Sequence, residues 1–139
     1  MISHAPNSPR RHFAGFRAPA AEYGKFEPIA TSFDGKRFNS PNDLAIRKNG
    51  DVYFTDPPYG LEGIDKSPLR EIPFHGVYRV TPAGEVSLLT KDIRFPNGIA
   101  FTADGKHMLL SETGTYRILK VDFATGKTSV LTGARSATS

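Results

Sequence analysis

Pro41-Asn42-Asp43-Leu44-Ala45-Ile46, followed by Asn49-Gly50 and Val52-Tyr53-Phe54, returns along the chain as Pro96-Asn97-Gly98-Ile99-Ala100-Phe101, then Asp104-Gly105 and His107-Met108-Leu109. Self-similarity at a period of tens of residues marks stacked or radially arrayed units. Around these stretches the pattern reads as short strands. Leu44 to Ile46 is one strand, the Asn49-Gly50-Asp51 cluster a hairpin turn, and Val52 to Thr55 the next strand. Residues 76–81 alternate, Pro82-Ala83-Gly84 turns the chain, and residues 85–90 make a fourth strand. Residues 99–102, 108–111, 117–123 and 127–132 repeat the same four-strand order, and Gly24 to Thr31 reads as a weaker copy of the last strand. No sustained 3.6-residue apolar period is present, so no helix is expected.

Four short antiparallel strands in each repeat of ~40 to 50 residues describe a blade of a β-propeller. The fold expected is therefore all-β, with about two four-stranded blades and an irregular N-terminal tail. A two-sheet sandwich needs the same number of strands, but nothing in a sandwich calls for Pro-Asn-x-[Leu/Ile]-Ala at matching positions.

Composition narrows the function. The 139 residues are 38% hydrophobic and 11% aromatic, as in a globular domain, and 13 glycines with 11 prolines supply many turns. The absence of cysteine excludes disulfides, thiol catalysis and thiolate-held metals. Much of the net charge of +4 comes from Arg10, Arg11 and Arg17, because residues 1–21 carry no acidic side chain. From Glu22 onward the charges are interspersed, so no nucleic-acid surface is expected. No apolar run approaches the ~20 residues that span a bilayer, and no secretory signal is seen, so neither membrane contact nor export is expected and a cytoplasmic location is. The expected organisation is a loose basic tail over 1–21, a propeller domain over 22–132 and a short tail over 133–139.

The inner strand of each blade lines the propeller channel, so Asn42 and Asn97 converge on its axis. An amide oxygen suits a hard divalent cation, although two neutral amides alone hold one weakly. A single Pro-Asn also makes an Asx-turn leading into a strand. Its occurrence twice in register gives the ligand reading equal weight. His75 and His107 are not spaced as a metal pair and read as turn or surface residues. Asp92 and Glu112 read as ordinary loop and strand-end residues. No Gly-x-Ser-x-Gly elbow or phosphate loop occurs.

The run Lys36 to Leu44, with Tyr53 to Leu61, Gly76 to Arg79 and Arg94 to Phe101, resembles the gluconolactonase branch of the regucalcin (senescence marker protein 30) family. The resemblance covers about residues 22–132 and implies part of a six-bladed propeller that hydrolyses sugar lactones with one divalent cation on its axis. That cation is Ca²⁺ first, with Zn²⁺, Mg²⁺ or Mn²⁺ as alternatives. By resemblance, Asn97 ligates the metal, Asn42 faces the metal or the substrate, and Asp43 holds the ligands in place. Asp56 and Tyr59 lie near the pocket mouth, Asp43 or Asp56 takes the proton of the attacking water, and Tyr59 contacts the lactone. The family metal site also takes a glutamate from a preceding unit and an aspartate from a later one, and neither has a counterpart here. The expectation is a partial copy of about two blades, with impaired lactonase activity and sheet edges open to self-association, or else a non-catalytic propeller segment that acts as a binding module.

Overall fold

The structure is a computed structural model that describes residues 16–19 and 26–133. Its strands are β1 (Phe16–Pro19), β2 (Phe26–Ala30), β3 (Ser32–Phe33), β4 (Lys36–Arg37), β5 (Leu44–Ile46), β6 (Val52–Asp56), β7 (Gly76–Val80), β8 (Val86–Thr90), β9 (Pro96–Phe101), β10 (His107–Glu112), β11 (Arg117–Asp122) and β12 (Thr128–Gly133). Strands β5 to β8 and β9 to β12 form two four-stranded antiparallel sheets in sequence order. Each is a meander, the blade that the repeat predicts. The first blade turns from β5 to β6 at Gly50, with φ 91°, and the second from β9 to β10 at Gly105, with φ 70°. A side chain is strained in that left-handed region, which is why both repeats carry Gly there.

Three features depart from expectation. Residues 16–19, assigned to a loose tail, form β1 and pair antiparallel with β2, the same pairing that the third and fourth strands of each blade make. The rest of 1–15, with Arg10 and Arg11, and residues 134–139 of the C-terminal stretch lie outside the described residues. A 3₁₀ turn, Ile64–Lys66, interrupts the loop from β6 to β7. The third is one of register: Leu44 pairs with Phe54 and Ile99 with Leu110, while Ile46 pairs with Val52 and Phe101 with Met108. Val52-Tyr53-Phe54 therefore corresponds to Met108-Leu109-Leu110, one residue on from the alignment read in the sequence. The cause is the turn: residues 47–51 lie between the last paired positions of the first hairpin, and residues 102–107 between those of the second. A slip of one residue exchanges the faces of a strand, so this correction decides which side chains are equivalent.

The blades stack face to face. Strand β6 is buried along its whole length. One of its faces supplies Val52 and Phe54 to a core with Ala30, Phe38, Ile72, Tyr78 and Val80, where the ring of Phe38 meets Phe54 edge-on at 5.0 Å. The other face gives Tyr53, which joins Val77 and Ile93 with Met108, Leu110, Leu119 and Val121 of the second blade. Strand β10 instead alternates between buried and half-buried positions, because only one of its faces meets the first blade. Among the described residues no helix is long and apolar enough to cross a membrane.

Candidate functional site

The two asparagine loops lie side by side because β9 packs against β5 and β6. Each loop is held by the second strand of its own blade. The Asn42 N–H donates to the Thr55 carbonyl at 2.9 Å, and the Thr55 N–H donates to the Asp43 carbonyl at 3.0 Å. The Asp43 N–H donates to Thr55 Oγ1 at 3.2 Å, and in the second blade the Gly98 N–H donates to Ser111 Oγ at 2.7 Å. With the register corrected, Thr55 and Ser111 are equivalent, so a hydroxyl supports the residue after each asparagine.

The same register pairs Asp56 with Glu112, and both carboxylates are buried. Asp56 accepts the Asn39 and Ser40 N–H groups, one on each oxygen and both at 2.8 Å. Glu112 accepts the equivalent Arg94 N–H at 3.0 Å, the Thr115 hydroxyl at 2.5 Å and the Arg117 guanidinium at 2.5 and 2.8 Å. Each acid fixes the chain three residues ahead of its asparagine. Burial pushes the Asp56 carboxyl up to about 7, against the lowering effect of those two N–H groups and of Arg70. In Glu112 burial acts in the same direction, but the Thr115, Arg94 and Arg117 hydrogen bonds outweigh it and hold the carboxyl below its usual range.

At the asparagine loops, two bonds cross between the blades. Thr55 Oγ1 donates to the Asn97 carbonyl at 2.8 Å, and the Ile99 N–H donates to Asp43 Oδ2 at 3.0 Å, while Asp43 Oδ1 accepts the Leu44 N–H at 2.9 Å. Both Asp43 oxygens thus accept N–H groups, Oδ2 across the blades and Oδ1 within its own. The Asn42 side chain is exposed and that of Asn97 half-buried. Asn97 donates through Nδ2 to Thr113 Oγ1 at 3.2 Å, which keeps its amide oxygen for another partner.

Tyr59 leaves β6 on a loop pinned by the Gly60 N–H, which donates to Ser40 Oγ at 2.8 Å. A side chain at Gly60 would collide with that hydroxyl. Tyr59, 37% exposed, lies over Phe95 with ring centres 6.1 Å apart, and Phe95 lies over His75 at 4.9 Å. His75 is buried rather than on the surface, and its Nδ1 bonds to the Arg94 carbonyl. Because a carbonyl accepts, Nδ1 carries the proton, and burial lowers the pKa of the ring, so His75 is neutral at pH 7.

The structure therefore brings Asn42, Asp43, Asn97 and Thr55 together and places Tyr59 on a three-ring ladder that runs through Phe95, the residue before Pro96, to His75. It places Asp56 in the interior instead of at a pocket mouth. Reading the sequence missed Thr55, Ser111, Phe95 and the burial of Glu112. Only the acid pair had a usable signal, a carboxylate closing the second strand of each repeat, and the one-residue longer turn hid it.

Residues 10–137 match the sequence profile of the SMP-30/Gluconolactonase/LRE-like region. The chain belongs to this family. Among its relatives, the gluconolactonase of Zymomonas mobilis is 44% identical over 85 residues, covering 61% of this chain and 24% of that protein. A lactonohydrolase of Aspergillus oryzae is 32% identical over 92 residues, covering 66% of this chain and 21% of the other. The solved structure of a gluconolactonase from Xanthomonas campestris superposes with a TM-score of 0.70 at 30% identity, over 81% of this chain and 40% of that one. The chain thus spans about a quarter of the curated relatives it matches, and its two sheets match part of the propeller of this SMP-30/gluconolactonase family.

Members of the family often bind divalent cations. Among the described residues no group of three or more His, Asp or Glu side chains is gathered to hold one. The donors at the asparagine loops are neutral amide oxygens. They fit an oxygen-seeking cation in kind and supply a part of its shell, since such ions take six or more oxygens when the site is Ca²⁺-like.

Proposed function

We propose that this chain carries part of the active centre of a metal-dependent hydrolase of sugar lactones, gluconolactone being the type of substrate. The observation that carries the reading is the pair of asparagine loops, presented by adjacent inner strands and bonded to each other through Thr55 and Asp43. Asn42 and Asn97 hold the cation, Ca²⁺ first and Zn²⁺, Mg²⁺ or Mn²⁺ as alternatives. When bound, such an ion polarises a lactone carbonyl and makes hydroxide available near neutral pH. The exposed face of Tyr59, backed by Phe95 and His75, offers a flat apolar wall to the sugar ring. Asp43 and Asp56 act by holding the loops, because each of their oxygens accepts an N–H group.

That same engagement favours a second reading, a non-catalytic propeller segment, since hydrolysis needs a group to accept the proton of water. Calorimetric titration of Ca²⁺ and Zn²⁺ into the chain, beside Asn97→Ala and a gluconolactone assay, separates the two. The lactonase reading expects saturable binding weakened by more than about tenfold in Asn97→Ala, together with hydrolysis. A folded chain that binds neither ion and turns over no lactone would leave the non-catalytic reading.

A further inference from the structure

Thr55 is fully buried at the fourth position of β6, and four hydrogen bonds meet on it. Its backbone N–H and carbonyl hold Asp43 and Asn42. Its hydroxyl has one proton and two lone pairs, and uses both functions: a lone pair accepts the Asp43 N–H at 3.2 Å, and the proton goes to the Asn97 carbonyl at 2.8 Å. One side chain therefore touches the residue after the first asparagine and the backbone of the second. Asp43 completes the arrangement from the other side through its bond to the Ile99 N–H. Asn97 is bracketed, its carbonyl held by Thr55 and the amide two residues on held by Asp43.

The repeat shows which atom matters. Ser111 stands where Thr55 does and accepts the Gly98 N–H in the same way. The two residues share the hydroxyl and differ in the methyl. Gly98 stands where Asp43 does, so of the two repeats only the first carries both the hydroxyl and the carboxylate half of the crossing.

We propose that Thr55 is a positioning residue whose hydroxyl sets the separation of the Asn42 and Asn97 side chains by locking the start of β9 to the start of β5. Its consequence for metal affinity rests on the lactonase reading; its effect on the loops does not. Valine has the shape of threonine without the hydroxyl, and Thr55→Val leaves the Asn97 carbonyl and Asp43 N–H without this partner. Thr55→Ser keeps the hydroxyl and removes the methyl.

The test is amide hydrogen exchange on the full chain, with Ca²⁺ titrated into the same samples. In Thr55→Val the Ile99 amide exchanges about tenfold faster relative to the β11 amides, and any Ca²⁺ affinity of the wild type falls by about tenfold. Thr55→Ser keeps both within about twofold of wild type, less than a lost hydrogen bond gives. Acceleration spread evenly over β11 and Ile99, or Thr55→Ser behaving as Thr55→Val, reveals a merely structural side chain and overturns the proposal. So does a wild type that binds Ca²⁺ saturably but no more tightly than Thr55→Val. If the wild type binds no Ca²⁺ but Ile99 is selectively loosened, the positioning role stands and the metal reading fails. Should Thr55→Val not fold, Thr55→Cys, with its weaker thiol donor, carries the same comparison at Ile99.

Discussion

Asp56 shows how a single residue acts on the asparagine loop without reaching it. Its two oxygens take the N–H groups of Asn39 and Ser40, and the Asn39 side chain bonds in turn to the Phe74 carbonyl at 2.8 Å. Loop, strand end and the segment before β7 are thereby fastened at one point. Burial lifts its carboxyl from 3.8 to about 7, so between these values the folded chain binds a proton that the unfolded chain has released. Stability from this group is then complete below pH 3.8 and is lost as pH rises toward 7. Denaturant melts across that window should show this falling component in the wild type and not in Asp56→Asn. The variant should also be less stable at pH 5 by about 1–3 kcal/mol, because its amide NH₂ faces an N–H donor. A variant whose stability tracks the wild type at every pH would remove Asp56 from this role.

At the scale of the strand, most of the architecture was legible because each blade carries its own punctuation. Apolar alternation, Pro-Asn at the start of the inner strand and a left-handed Gly in the turn recur in both repeats, and the strands fall where those signals put them. What was not legible is set by contacts that leave no local pattern. The bonds that join the two asparagine loops, Thr55 to Asn97 and Ile99 to Asp43, link residues far apart in sequence, each through a backbone group that every residue possesses. The role of Glu112 was hidden because the longer second turn displaces β10 by one residue, and only the ladder shows that Glu112 answers to Asp56. The equivalence makes a prediction about the element. Glu112→Ala should cost about 1–3 kcal/mol in a denaturant melt, since the Arg94 N–H loses its buried acceptor, and Arg117→Ala should cost less because that side chain is 40% exposed. Equal losses in the two variants would mean that the ion pair, and not the clamp on the loop before Pro96, is what β10 contributes.

Over the whole molecule, the two blades bury one face of each against the other and differ in what covers the remaining face. The first blade is covered by Ala30, Phe38 and Ile72, whereas the second leaves Ala100, Leu109 and Ile118 lining a cleft of about 360 Å³ beside Gly98 and Ser111. Among the described residues its outer strand β12 pairs with β11 alone and is exposed at every residue, with Val130 at 56% and Leu131 at 52%. An apolar edge with unpaired backbone groups is a template for a further strand, and charge on such an edge blocks that pairing. Self-association of the chain should therefore run through β12. Replacing Val130 and Leu131 by lysine should shift the sedimenting species toward the monomer while leaving stability within about 0.5 kcal/mol, as for other surface substitutions. If the mass stays unchanged while stability holds, association runs elsewhere, and the uncovered face around Leu109 and Ile118 becomes the surface to change next.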